Sequence, residues 1–156
     1  MPTRILMVCL GNICRSPLAE GILRSKLPAT AYIVDSAGTG HWHVGNPPDA
    51  RSVKIARERG LDISNLRGRQ FSKKDFADFD HIYVMDSQNY RDVINLASDE
   101  TERAKVQLIL NEIFPNENVD VPDPYYGLQD GFEKVFDMLD TASQTIAEKL
   151  LKNSLK

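Results

Sequence analysis

Short apolar, β-branched runs recur along the chain and are separated by longer helix-like stretches, a rhythm that a parallel sheet with crossover helices satisfies. The runs predict strands near 4–9, 32–36, 80–85 and 105–110. Helices are predicted over 17–27, 49–59, 87–97 and 131–151, with a shorter one near 72–77 that Ser72 would N-cap. The last helix is the clearest, because Phe132, Val135, Phe136, Leu139, Ala142, Ile146 and Leu150 recur at three- and four-residue spacing and form one apolar stripe. At 156 residues, 42% of them hydrophobic, the chain fits one domain over 1–156 with a substantial core. No internal repeat, low-complexity tract or long linker divides it.

The chemistry concentrates where the first strand ends. Residues 9–16 read CLGNICRS, directly after Ile5, Leu6, Met7 and Val8. A strand entering a tight loop and then a helix, with Pro17 in its first turn, leaves several backbone N–H groups converging on one concavity. Such a cradle selects a dianionic phosphate. Cys9 would supply a nucleophilic thiolate at its floor, and Arg15 a planar, two-pronged cation at its rim. Asn12 tolerates the left-handed backbone that an inward-turned loop needs, and Gly11 permits close approach.

A second element is VPDPYYG at 121–127. Two prolines flank Asp123 and stiffen the loop that carries it, so its carboxyl can protonate a leaving group. Asp-Pro also starts ordinary turns, and it is the pairing with a cysteine-arginine loop that gives Asp123 a task. Tyr125 and Tyr126 would provide flat walls for an aromatic substrate. The irregular stretches 37–48 and 111–130 both follow predicted strands, so they should rim the pocket of Cys9, as ligand-binding loops do in open α/β sheets.

Charge and composition exclude other classes. A net charge of −3, with no concentration of lysine and arginine, argues against a nucleic-acid surface. Both cysteines, Cys9 and Cys14, lie in the one loop, which leaves no disulfide framework or metal-binding pairs and points to a reduced, cytoplasmic setting. No apolar stretch reaches the length of a membrane span, and the N-terminal run is too short for a signal-peptide core.

CLGNICRSP, DSAGT at 35–39, WHVG at 42–45, YVMD at 83–86 and DPYYG at 123–127 together resemble the low-molecular-weight protein tyrosine phosphatases, in that family's order and over nearly the whole chain. The double tyrosine looks like the eukaryotic-type members. The resemblance implies an α/β three-layer sandwich, a four-stranded parallel sheet in the order 2-1-3-4 with helices on both faces. It also implies hydrolysis of tyrosine-phosphorylated proteins through a phosphocysteine, without metal or cofactor, by a monomer or weak dimer. A free cysteine is mostly thiol at neutral pH, so the loop must favour the anion. Converging N–H groups, the helix N-terminus, Arg15 and the Ser16 hydroxyl would all do so. Asp123 would protonate the departing tyrosine oxygen and then take a proton from the attacking water.

Further roles follow from the same resemblance. Leu10, Gly11, Asn12, Ile13, Cys14 and Ser16 belong to the substrate-binding loop, and Trp42, Tyr125 and Tyr126 to the rim around the aromatic ring. Asn12 and Ser36 belong to a hydrogen-bond network that stiffens the loop. Where many members have a histidine in this network, ahead of Arg69, the alignment places Leu66, which implies a shorter network. Cys14 is either a small buried loop residue or a partner for a protective disulfide with Cys9. Related protein-arginine phosphatases carry threonine where this chain has Ile13, so an aryl phosphate is expected. His41, His43 and His81 are assigned structural or solvent roles, Asp86 and Asn89 a helix cap, and the charged run DETER at 99–103 a solvated helix end. Two alternatives stay open. One is an arsenate reductase, which would need relay cysteines that do not follow Cys14. The other is a binding module that holds phosphotyrosine without turnover.

Overall fold

The computed structural model describes residues 1–154, so the last two positions of the expected domain lie outside the described residues. Four parallel strands, β1 (Thr3–Cys9), β2 (Tyr32–Gly38), β3 (His81–Val84) and β4 (Val106–Leu108), pair in the order β2-β1-β3-β4. β1 is central, hydrogen-bonded to β2 from Thr3↔Tyr32 to Cys9↔Gly38 and to β3 from Ile5↔His81 to Val8↔Val84. Burial on both faces explains why its sequence is a continuous apolar run. Ile5, Met7 and Cys9 face one core with α1 (Arg15–Lys26), α2 (Ala50–Glu58) and α6 (Gln129–Ser154). Leu6 and Val8 face a second core with Phe76 of α3 (Asp75–Asp78) and Val93 of α4 (Ser87–Ile94).

The stripe on α6 packs as its spacing requires. Phe132, Val135, Phe136, Leu139, Ala142 and Ile146 are all buried against α1 and the sheet, with Leu150 half-buried at the edge. Each large member contributes about 1.5–3 kcal/mol of apolar burial. α1 stops at Lys26 because Leu27 is extended ahead of Pro28, and α2 opens on an Asp49 cap.

Several boundaries differ from expectation for local reasons. β4 ends at Leu108, because its pairing with β3 ends there when β3 turns toward α4; Ile109–Glu112 form a 3₁₀ turn instead. α4 stops at Ile94 and its continuation tightens, with Leu96 and Ala97 N–H donating to the carbonyls three residues back. Ser72 does not cap the short helix. Its own N–H donates to the Asp75 carboxylate at 2.9 Å, and α3 begins at Asp75. The DETER run is not the end of a longer helix: Asp99 accepts the Glu102 N–H at 2.9 Å and opens a separate one-turn helix, α5 (Glu100–Arg103).

Candidate active site

Cys9 closes the central strand, and the chain then turns through residues 10–14 into α1. Asn12 makes that turn possible with a left-handed φ of 58°, a conformation Asn reaches at modest cost. The turn brings the Asn12 N–H to 3.3 Å from Cys9 Sγ, and Ser16 Oγ to 3.0 Å from the same sulfur. Gly38 of β2 lies beneath: a Cβ there would sit 2.8 Å from the Leu10 carbonyl oxygen.

Behind the sulfur the hydrogen bonds have a fixed direction. Asn12 Oδ1 accepts the Arg69 main-chain N–H at 3.0 Å, so its Nδ2 carries the two hydrogens donated to Ser16 Oγ at 2.8 Å and Ser36 Oγ at 2.9 Å. Ser36 donates its own hydroxyl hydrogen to Glu20 at 2.6 Å, and Ser16 Oγ, which accepts from Asn12, has its hydroxyl hydrogen available for a Cys9 thiolate. Glu20 is buried in α1, burial raises its pKa, and the hydrogen bonds from Ser36 and Arg24 oppose that rise. Leu66 packs against the core, and Asn12 draws its remaining partner from the Arg69 backbone.

Arg15 is only 2% exposed. Its Nη1 donates to Asp86 at 2.7 Å and to the Val121 carbonyl at 2.9 Å, and its Nη2 lies 3.5 Å from Asp123. Burial alone would lower its pKa, yet Cys9, Asp86 and Asp123 together hold it above its ordinary value. Nε is buried without a protein partner among the described residues. Asp86 does more than the cap expected of it. It shares a capping box with Asn89 on α4 and, through its second oxygen, aims Arg15.

A cleft of about 320 Å³ opens over this floor, lined by Cys9, Leu10, Gly11, Ile13, Cys14, Arg15, Trp42, His43, Asp123, Tyr125 and Tyr126. Of the loop residues expected at the substrate, Asn12 and Ser16 do not line it; both are buried and their side chains support the loop from behind. Trp42 stands at the rim, 63% exposed and stacked on His41. Tyr125 and Tyr126 meet edge to face, with centroids 4.9 Å apart. His43, read from sequence as structural or solvated, is part of the wall. It lies 6.4 Å from the Tyr125 ring, in space that exists because Gly11 has no Cβ. His81 stacks on Tyr83 away from the cleft. Both cysteines are reduced and buried, and the Cys14 thiol is pushed well above its usual range by burial and by the neighbouring carboxylates and Cys9.

No helix among the described residues is long and apolar enough to cross a membrane. Comparison with known proteins places nearly the whole chain among named relatives. Residues 4–156 match the family model described as low molecular weight phosphotyrosine protein phosphatase. The protein named low molecular weight phosphotyrosine protein phosphatase from Schizosaccharomyces pombe is 41% identical over 152 residues, covering 94% of this chain and 96% of the relative. The human protein of that name is 37% identical, covering 93% and 94%. A crystal structure of a protein tyrosine phosphatase from Entamoeba histolytica, with Hepes in its active site, superposes with a TM-score of 0.90 at 34% identity, covering 97% of this chain and 99% of that one.

Proposed function

This chain belongs to the low molecular weight phosphotyrosine protein phosphatase family and is a protein-tyrosine-phosphatase, a phosphoric monoester hydrolase; from that premise we propose that it cleaves phosphotyrosine through a phosphocysteine on Cys9, with Asp123 as general acid and then general base. The observation that supports this best is the convergence of three groups on one cleft: a sulfur contacted by a main-chain N–H and the Ser16 hydroxyl, the buried Arg15, and the Asp123 carboxylate 3.5 Å from Arg15 Nη2.

In the first step the Cys9 thiolate attacks phosphorus as the bond to the phenolic oxygen breaks, and Asp123 gives that oxygen its proton. In the second, Asp123 takes a proton from water, whose oxygen attacks phosphorus as the sulfur–phosphorus bond breaks, releasing phosphate and restoring the thiolate. Charge in the loose transition state sits on the equatorial phosphoryl oxygens. Arg15 would meet them with Nε and Nη2, since Nη1 is held by Asp86 and Val121. The aromatic ring would lie among Trp42, Tyr125 and Ile13, with phosphate reaching the floor past Leu10, Gly11 and Cys14.

Phosphate release from phosphotyrosine, phosphoserine and phosphoarginine peptides tests this reading. We expect phosphotyrosine to be preferred, Cys9→Ser to abolish turnover, and Asp123→Asn to slow it about 10²–10⁴-fold. Binding without turnover by the unaltered protein would identify a recognition module instead.

A further inference from the structure

On the strength of the phosphatase reading, we propose that Arg51 is a positioning residue that ties the Asp123 loop to the phosphate loop and so holds the general acid in place. Arg51 lies in the first turn of α2 and belongs to neither loop. Its Nε and Nη2 each lie 3.0 Å from an oxygen of Asp49. Nη2 also donates to the Tyr125 carbonyl at 2.8 Å, and Nη1 to the Gly127 carbonyl at 3.0 Å. The guanidinium stands 4.5 Å from the Phe132 ring centroid and 5.7 Å from that of Tyr125. Asp49 in turn donates its N–H to the Ile13 carbonyl at 2.7 Å. Ile13, Asp49, Arg51 and Tyr125 therefore form an unbroken run of hydrogen bonds from one loop to the other.

The far side of the acid loop is anchored at Val121, whose N–H donates to the Met85 carbonyl at 2.8 Å and whose carbonyl accepts from Arg15 at 2.9 Å. Asp123 lies between this anchor and the carbonyls held by Arg51. The Tyr125 N–H to Asp123 Oδ1 bond, at 3.1 Å, and the Gly127 N–H to Pro124 carbonyl bond, at 2.9 Å, are internal to the loop. They fix its shape, and its placement rests on the two ends together with the 3.5 Å contact between Asp123 and Arg15 Nη2. Lysine could not replace the guanidinium, because one ammonium cannot serve two carboxylate oxygens and two divergent carbonyls at once.

A misplaced acid has a signature that general destabilisation lacks. It slows esters with a poor leaving group more than those with a good one, because p-nitrophenolate leaves without a proton and tyrosinate does not. The experiment compares kcat/KM for p-nitrophenyl phosphate and for a phosphotyrosine peptide in the unaltered enzyme, Arg51→Met, Arg51→Lys, Asp123→Asn and the Arg51→Met/Asp123→Asn double variant. Both Arg51 variants should lose about tenfold more on phosphotyrosine than on p-nitrophenyl phosphate. In the double variant, Arg51→Met should add no further leaving-group discrimination. Equal losses on both esters, or additive discrimination in the double variant, would overturn the assignment. Should Arg51→Met fail to fold, Arg51→Lys, which keeps a long stem over Phe132, is read by the same criterion. An unaltered enzyme that turns over neither ester overturns the phosphatase reading itself, and the role of Arg51 with it.

Discussion

Arg15 Nη1 and the Asp86 carboxylate stand 2.7 Å apart, although 71 residues separate them in sequence. The second Asp86 oxygen accepts the Asn89 N–H at 2.8 Å, so one carboxylate both starts α4 and aims the cation of the proposed phosphate cradle. The variant Asp86→Asn keeps a good N-cap and removes the charge. A hydrogen bond to a charged group is worth about 1.5–3 kcal/mol, so kcat/KM for phosphotyrosine should fall about ten- to a hundredfold. The melting temperature should fall as well, because buried Arg15 loses a charged partner. Steady-state kinetics and a melting curve on the same preparation check both halves.

Asn12 combines a left-handed backbone with three side-chain hydrogen bonds, and two substitutions separate these roles. Asn12→Gly relieves the backbone but leaves Ser36, Ser16 and the Arg69 N–H without their partner. Asn12→Ala also carries a Cβ in the left-handed region, at a cost of about 1–2 kcal/mol. Both should lose activity, and Asn12→Ala should melt at the lower temperature. Equal melting temperatures would remove the backbone from the account.

At Gly38 a Cβ would lie 2.8 Å from the Leu10 carbonyl oxygen and 3.1 Å from the Asn12 nitrogen. The obstruction is backbone, which cannot swing aside as a flexible side chain can. Gly38→Ala should therefore destabilise the protein by about 1–3 kcal/mol and displace the loop that carries Cys9. Chemical denaturation, together with the rate of Cys9 alkylation by iodoacetamide, measures both effects. An unaltered alkylation rate would show that the loop absorbs the methyl group.

The hydrogen bonds from Arg51 hold the Asp49 carboxyl below its ordinary value of 3.8, against the opposing effect of partial burial. A depressed carboxylate contributes stability that is present above its unfolded pKa and is lost as pH falls below it. Asp49→Asn preserves an N-cap but carries no charge. The stability gap between the unaltered protein and this variant should be full near neutrality and should close as pH falls through and below 3.8. Urea titrations at several pH values measure the gap, and a gap that widens in acid would reverse the assignment.

What the sequence made legible was whatever chemistry and periodicity write locally. The α6 stripe announces itself through spacing, and Cys9 and Arg15 share one loop beside a strand. Asp123 stands out because prolines flank it. The partners that complete the site are remote or disguised. Glu20 occupies a helix position where a glutamate normally meets water, and the Ser36 hydroxyl that satisfies it inside the protein comes from β2, 16 residues away. His43 reaches the cleft wall because residues 43–46 fold onto Gly68, where the Gly45 N–H donates to the Gly68 carbonyl at 2.8 Å. Arg51 looks like a solvated helix residue until two loops converge on it. The end of β4 was illegible for a related reason: Ile109 and Leu110 continue an apolar run, and it is the departure of β3 that ends the pairing.

Cys9 closes β1, the strand hydrogen-bonded to a neighbour on each side and buried on both faces. Local fluctuations that expose a backbone amide begin at edges and loop tips, and the middle of a sheet opens only when the whole unit does. The proposed nucleophile is thus fastened to the part of the molecule that is last to come apart. Loops around it can breathe to admit a phosphoprotein and release its product while the sulfur stays where the core puts it.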